Sequence, residues 1–205
     1  SARDAETALC GLAARDLRRL TLVSCLAIKP ADRLAAALAL LSAGSALARQ
    51  RKSRLRGEKL LLLALDGVIN GDGGAPGGSP AATFLTLEAL VLARTTLRAG
   101  GGQITPPLTG AIERVAGAVR TMRHPDGGLI GFGMDGGLSS HRIGRVLSAS
   151  RTPAQPVAVM RDTGYARASA GDIFVFLDAG TARAGLPVEI SADGRRLVVT
   201  RPGGM

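Results

Sequence analysis

Aromatic residues are nearly absent from this 205-residue chain, which has four Phe, one Tyr and no Trp. Stacking platforms for bases are built from such side chains, so single-strand nucleic-acid binding is disfavoured. The core has to be assembled from Leu, Ala and Val. At 46% hydrophobic residues there is enough apolar material for one large domain or two small ones. Histidine and cysteine are equally sparse, with two of each. Cys10 and Cys25 match no metal or redox spacing and stand in apolar helical surroundings. That favours buried thiols and a reducing compartment, so a cytoplasmic location is expected, with the periplasm as the alternative. No His/Cys/Asp group has zinc spacing. The Gly-rich stretches lack the Gly-Lys-Ser/Thr ending of a phosphate-binding loop. Neither a metal nor a cofactor is therefore expected. No charged segment followed by an apolar core opens the sequence, so no signal peptide is visible. The longest apolar run, about Leu34 to Ala48, falls short of the roughly 20 residues a membrane span needs.

Acidic residues are also in deficit. Sixteen Asp and Glu face 26 Lys and Arg, giving a formal net charge of +10. Such a balance favours anionic partners: acidic polysaccharide, nucleic acid or a membrane face. No nucleic-acid-binding fingerprint accompanies it, so nucleic acid is the unlikely member of that set. The preponderance of Arg, Ala, Gly and Leu is also what a GC-rich genome produces, and that competes with a functional origin for the charge. The densest basic cluster is Arg49, Arg51, Lys52, Arg54, Arg56 and Lys59. It falls where one helical pattern ends and the next begins, which favours a solvated connection.

The order of local signals predicts an α+β chain. Residues up to about 125 carry helical periodicity. Pro30 marks one helix start, Ser79-Pro80 is an N-cap followed by Pro at the first helical position, and Thr105-Pro106 repeats the device. Gly100-Gly101-Gly102 ends the helix that Ser79 opens. About five helices stacked as antiparallel hairpins are expected. Beyond Gly137 the segments become short and β-branched or Phe-marked. Strands are expected over 143–147, 156–160, 164–168, 172–178, 186–190 and 196–200, with Asp193-Gly194 as a hairpin turn. Helices followed by strands place a boundary near 135–150, taken as a helical region over 1–135 and a strand region over 136–205.

Between the two regions lies TMRHPDGGLIGFGMDGG, residues 121–137, where His124 joins Asp126, Asp135 and much glycine. Taken in order, GDGGAPGGSP, then a Pro-started helix, then MRHPDGGLIGFGMDGG, then DTGYARASAGDIFVFLDAG resemble the heparinase II/III-like family over roughly residues 30–200. The resemblance implies an α/α-toroid of helical hairpins followed by an antiparallel β-sandwich-like region. It also implies a lyase that cleaves uronic-acid-containing polysaccharide by β-elimination. Such a reaction needs the C5 carboxylate neutralised, a base for the C5 proton and an acid for the leaving oxygen.

Carried onto this chain, the family pattern leaves Ala75 where a His is usual. His124 and Asp126, with Tyr165, become the catalytic candidates, and Asp72, Arg120, Arg123 and Asp135 the substrate-binding ones. Each has a blander reading beside it. His124 near a helix end suits the helix dipole, Asp-Gly makes a turn, and Tyr165 fits as a packing residue. With Ala75 in the His position, the alternative to a lyase is a non-catalytic protein that binds acidic polysaccharide or serves a structural role.

Overall fold

The computed structural model describes residues 2–47, 50–131, 137–180 and 187–199. The order is six α-helices followed by a five-stranded antiparallel sheet, an α+β layout. Packing divides the chain into two compact units. One comprises residues 1–68 and 92–109, the other residues 69–91 and 110–205.

The first unit is helical: α1 (Ala2–Val23), a short 3-10 turn at Ser24–Leu26, α2 (Pro30–Ala46) and α3 (Arg51–Val68), with the neighbouring parts of α4 and α5. Helix α2 starts at the expected Pro30. It buries Leu34, Ala37, Leu40 and Leu41 at helical spacing, and α3 buries Gly57, Leu61, Ala64, Leu65 and Val68. The two helices approach closely where both lack bulk. A Cβ on Gly44 would lie 2.6 Å from Arg54 N, and one on Gly57 would lie 3.0 Å from Ala37 O.

Helix α4 (Pro80–Ala99) opens as its signal predicts, with Ser79 Oγ accepting from Ala82 N at 3.2 Å, and the three glycines follow its end. Helix α5 (Pro106–Thr121) begins at the expected Thr105-Pro106 pair. The expected strand over 143–147 is instead part of helix α6 (Ser140–Ser150). Ser139 caps it by accepting from Arg142 N, and Ile143, Leu147 and Ser150 bury one stripe at helical spacing. The cap and the four-residue interval override the short β-branched run. Arg142 then donates to both carboxylate oxygens of Glu88, joining α6 to α4.

The strands are β1 (Val159–Met160), β2 (Tyr165–Ala170), β3 (Ile173–Asp178), β4 (Val188–Ala192) and β5 (Arg195–Val199). They pair in chain order as an antiparallel meander. Asp193 and Gly194 both take positive φ (49° and 72°) in the two-residue turn between β4 and β5, as an Asp-Gly hairpin requires. Register assigns the faces: Arg167 pairs with Phe176, Phe176 with Glu189, and Phe174 with Ser191. Because side chains alternate, these residues and Tyr165 share one face. That face packs on Ala118 of α5 and on Met122 and Ile130, in a cluster with Met160, Tyr165 and Phe176. No helix among the described residues is long and apolar enough to cross a membrane.

Candidate functional site

The chain leaves α5 at Thr121 and at once makes a tight hairpin. Arg123 and Leu129 form an isolated antiparallel bridge. His124 N donates to Gly128 O, and Gly127 N donates to His124 O, each at 2.9 Å. Pro125 and Asp126 occupy the corner, where Pro sets φ and Asp Oδ1 accepts from Gly128 N at 2.7 Å. Gly127 takes φ 85°, a conformation only glycine adopts cheaply. This geometry turns His124 inward against the sheet and leaves Asp126 exposed.

His124 is buried at 2% exposure, and both ring nitrogens are engaged. Nε2 lies 2.7 Å from Glu189 Oε2 and Nδ1 lies 3.0 Å from Ser191 Oγ, both partners on β4. The ring tilts over Phe176 at a centroid distance of 4.4 Å. Glu189 is itself wholly buried, and its Oε1 accepts from Gly131 N at 3.1 Å. Arg196 of β5 completes the network. Its Nη1 lies 3.7 Å from Glu189 Oε2, its Nε donates to Asp126 Oδ2 at 2.9 Å and its Nη2 to Leu129 O at 3.0 Å. The ring therefore neither caps α5 nor offers a free nitrogen to a substrate; it is a strut between hairpin and sheet. Ser191, His124 and Glu189 have the connectivity of a nucleophile-base-acid chain. Ser191 is buried at 1% exposure, however, so no substrate carbonyl reaches it.

Asp126 is held below the ordinary carboxylate range. Its partial burial works to raise it, but the Arg196 guanidinium, the Gly128 N–H and the charge of His124 outweigh that. Asp72 behaves alike. Burial works against its ionisation, while the Thr163 hydroxyl and the backbone N–H groups of Gly74, Thr163 and Asp162 more than compensate. Its Oδ1 accepts from Thr163 Oγ1 at 2.6 Å and its Oδ2 from Thr163 N at 2.8 Å, so it fastens the 70–74 loop to the turn before β2. Tyr165 Oη donates to Gly78 O at 2.5 Å. Ala75 is buried and its N donates to Thr83 Oγ1 at 2.9 Å. Asp135 lies outside the described residues.

A different part of the same unit offers an open chemical surface. A cavity of about 380 Å³ is lined by Arg120, Arg123, His124, Gln155, Arg167 and Phe174, with Pro125 and Pro156 at its margin. It gathers three guanidinium groups. Arg120 Nη2 donates to Thr152 O at 2.9 Å, while its Nη1 is buried without an acceptor. Arg123 Nε donates to Gly127 O at 3.0 Å. Arg167 lies over the rings of Phe174 and Phe176 at 5.1 and 5.9 Å, and its buried Nε also lacks an acceptor. Among the described residues, none of the three forms an ion pair. Burial, then the neighbouring Arg123 charge, lowers the Arg120 guanidinium pKa, and burial alone lowers that of Arg167. Both shifts mark cations short of anionic company.

Of the seven residues singled out from sequence, Arg120, Arg123 and His124 meet at this cavity. Asp126 joins the network beneath it through Arg196, while Asp72 and Tyr165 make loop contacts elsewhere in the unit. Arg167 lies within the DTGYARASAG stretch without being singled out there, and Glu189, Ser191 and Arg196 carry no motif. The signal for Arg167, Glu189 and Ser191 is a polar residue at alternate positions of a strand whose other positions are apolar; Arg196, beside Arg195 in RRLVV, lacks even that. The described residues contain no group of three or more His, Cys, Asp or Glu side chains able to hold a metal ion. No family model matches this sequence, and no curated protein or solved structure is significantly similar to it.

Proposed function

We propose that this protein binds acidic polysaccharide without cleaving it, seating a carboxylate or sulfate group of the polymer among Arg120, Arg123 and Arg167. The observation that carries this reading is the cavity of three guanidiniums with no carboxylate partner and two buried N–H groups without acceptors. Guanidinium forks pair with planar or tetrahedral oxyanions through charge-assisted hydrogen bonds. The net charge of +10 draws such polymers to the surface. The ordered motifs resembling the heparinase II/III-like family point to the same ligand class.

A β-elimination lyase is the second reading, favoured by those motifs. The bases that those motifs nominate are engaged: His124 has both nitrogens bonded and Tyr165 Oη is bonded to Gly78 O, while Ala75 stands where the resemblance would place a His. Incubation with heparin, heparan sulfate and alginate, followed by absorbance of the unsaturated product, separates the two readings. Salt-sensitive retention on these polymers with no absorbance rise supports the binding protein. A sustained rise establishes the lyase, and absence of retention on every polymer removes both.

A further inference from the structure

We infer that the helical unit carries a second and chemically different site, a groove on α3 that takes a single-chain anionic amphiphile. The groove, about 690 Å³, is lined by Lys52, Arg56 and Lys59 together with Leu55, Leu60 and Leu63, with Ser53 and Thr21 at its side. Among the described residues no acidic side chain lines it. Helix geometry explains how two chemistries share one surface. At about 100° per residue, Lys52, Arg56 and Lys59 fall within about 60° of arc, and Leu63 continues the same line. Leu55 and Leu60 flank that line on either side. The rise from Lys52 to Leu63 is about 16 Å. Positive charge fills the N-terminal two turns of this stripe, and aliphatic carbon fills the turn beyond.

Lys52 and Lys59 are exposed, and Leu55 and Leu63 are 47% and 58% exposed, so the stripe faces outward. Arg54 of the same basic cluster bonds to Gly100 O and pairs with Glu58. A hydrated polysaccharide gains nothing from three leucines. A bare oxyanion uses only the cationic half. An acyl chain ending in a carboxylate or phosphate satisfies both halves, its head between Lys52 and Lys59 and its tail over Leu60 and Leu63 in the turn beyond. The concave shape favours a single chain over the flat face of a bilayer.

Calorimetric titration with laurate and with dodecyl phosphate, each below its micelle concentration, tests this site. Saturable binding at one ligand per chain is expected, with inorganic phosphate and acetate at least tenfold weaker. The double variant Lys52→Glu/Lys59→Glu and the single variant Leu63→Glu are each expected to weaken laurate at least tenfold. Both alter exposed positions, and an unchanged thermal melt checks their folding. Arg167→Gln is expected to leave laurate binding unchanged, which keeps this site distinguishable from the arginine cavity. The assignment is overturned if laurate does not bind, if the charge-reversed variant binds it equally well, or if inorganic phosphate binds as tightly. Binding to phosphatidylglycerol vesicles, or to an acidic amphipathic peptide, without binding to monomeric laurate also overturns it, in favour of that other partner.

Discussion

His124 and Glu189 stand 65 positions apart in sequence and meet at 2.7 Å with neither side chain exposed. The contact holds the HPDGG hairpin against β4. It turns the most chemical-looking segment of the sequence into a structural joint, and Arg123 of that segment lines the cavity with Arg120 of α5.

Removing one partner of such a pair is costly, because the other is left buried and uncompensated. Glu189→Ala is expected to destabilise the fold by about 3–5 kcal/mol. Glu189→Gln, which keeps the shape and can still accept from Gly131 N, is expected to cost less. Urea unfolding of both variants checks the order, and a loss under about 1 kcal/mol for Glu189→Ala contradicts the structural role of the pair.

Asp72 and Asp126 make stability depend on pH in the acid range. Each has a folded-state pKa depressed below its unfolded value of about 3.9. Their contributions are complete above that unfolded value and are lost as pH falls through the lower folded one. The double variant Asp72→Asn/Asp126→Asn is therefore expected to show a shallower loss of stability than the parent protein as pH is lowered below about 4. Denaturant midpoints at several pH values measure the slopes; equal slopes contradict the assignment.

Placing a histidine at position 75, where the sequence resemblance would put one, is not expected to create a catalyst. Ala75 is buried beside Thr83, and Ala75→His forces an imidazole into filled space. A destabilisation of about 1–3 kcal/mol is expected, with no lyase activity gained. Thermal melts and unsaturated-product absorbance check both parts.

Local chemistry made much of the fold legible. Ser79-Pro80, Pro30 and Asp193-Gly194 each encode an element end through one or two residues, and each stands where it was expected. Helix α6 was not legible in its β-branched run, because its evidence lay in the Ser139 cap and in the spacing of Ile143 and Leu147. The arginine cavity was half legible. Arg120 and Arg123 flank a conspicuous loop, whereas Arg167 reaches it only through the register that pairs it with Phe176. Glu189 and Ser191 depend on the same long-range pairing, which periodicity can assign to a face but not to a partner.

If Arg120, Arg123 and Arg167 form one oxyanion site, a heparin-derived oligosaccharide titrated at low and moderate salt discriminates among the parent protein, Arg120→Gln/Arg167→Gln and Lys52→Glu/Lys59→Glu. Salt-weakened binding to the parent is expected, with at least a tenfold loss in the arginine variant and a much smaller change in the lysine variant. Undiminished binding to Arg120→Gln/Arg167→Gln would contradict it.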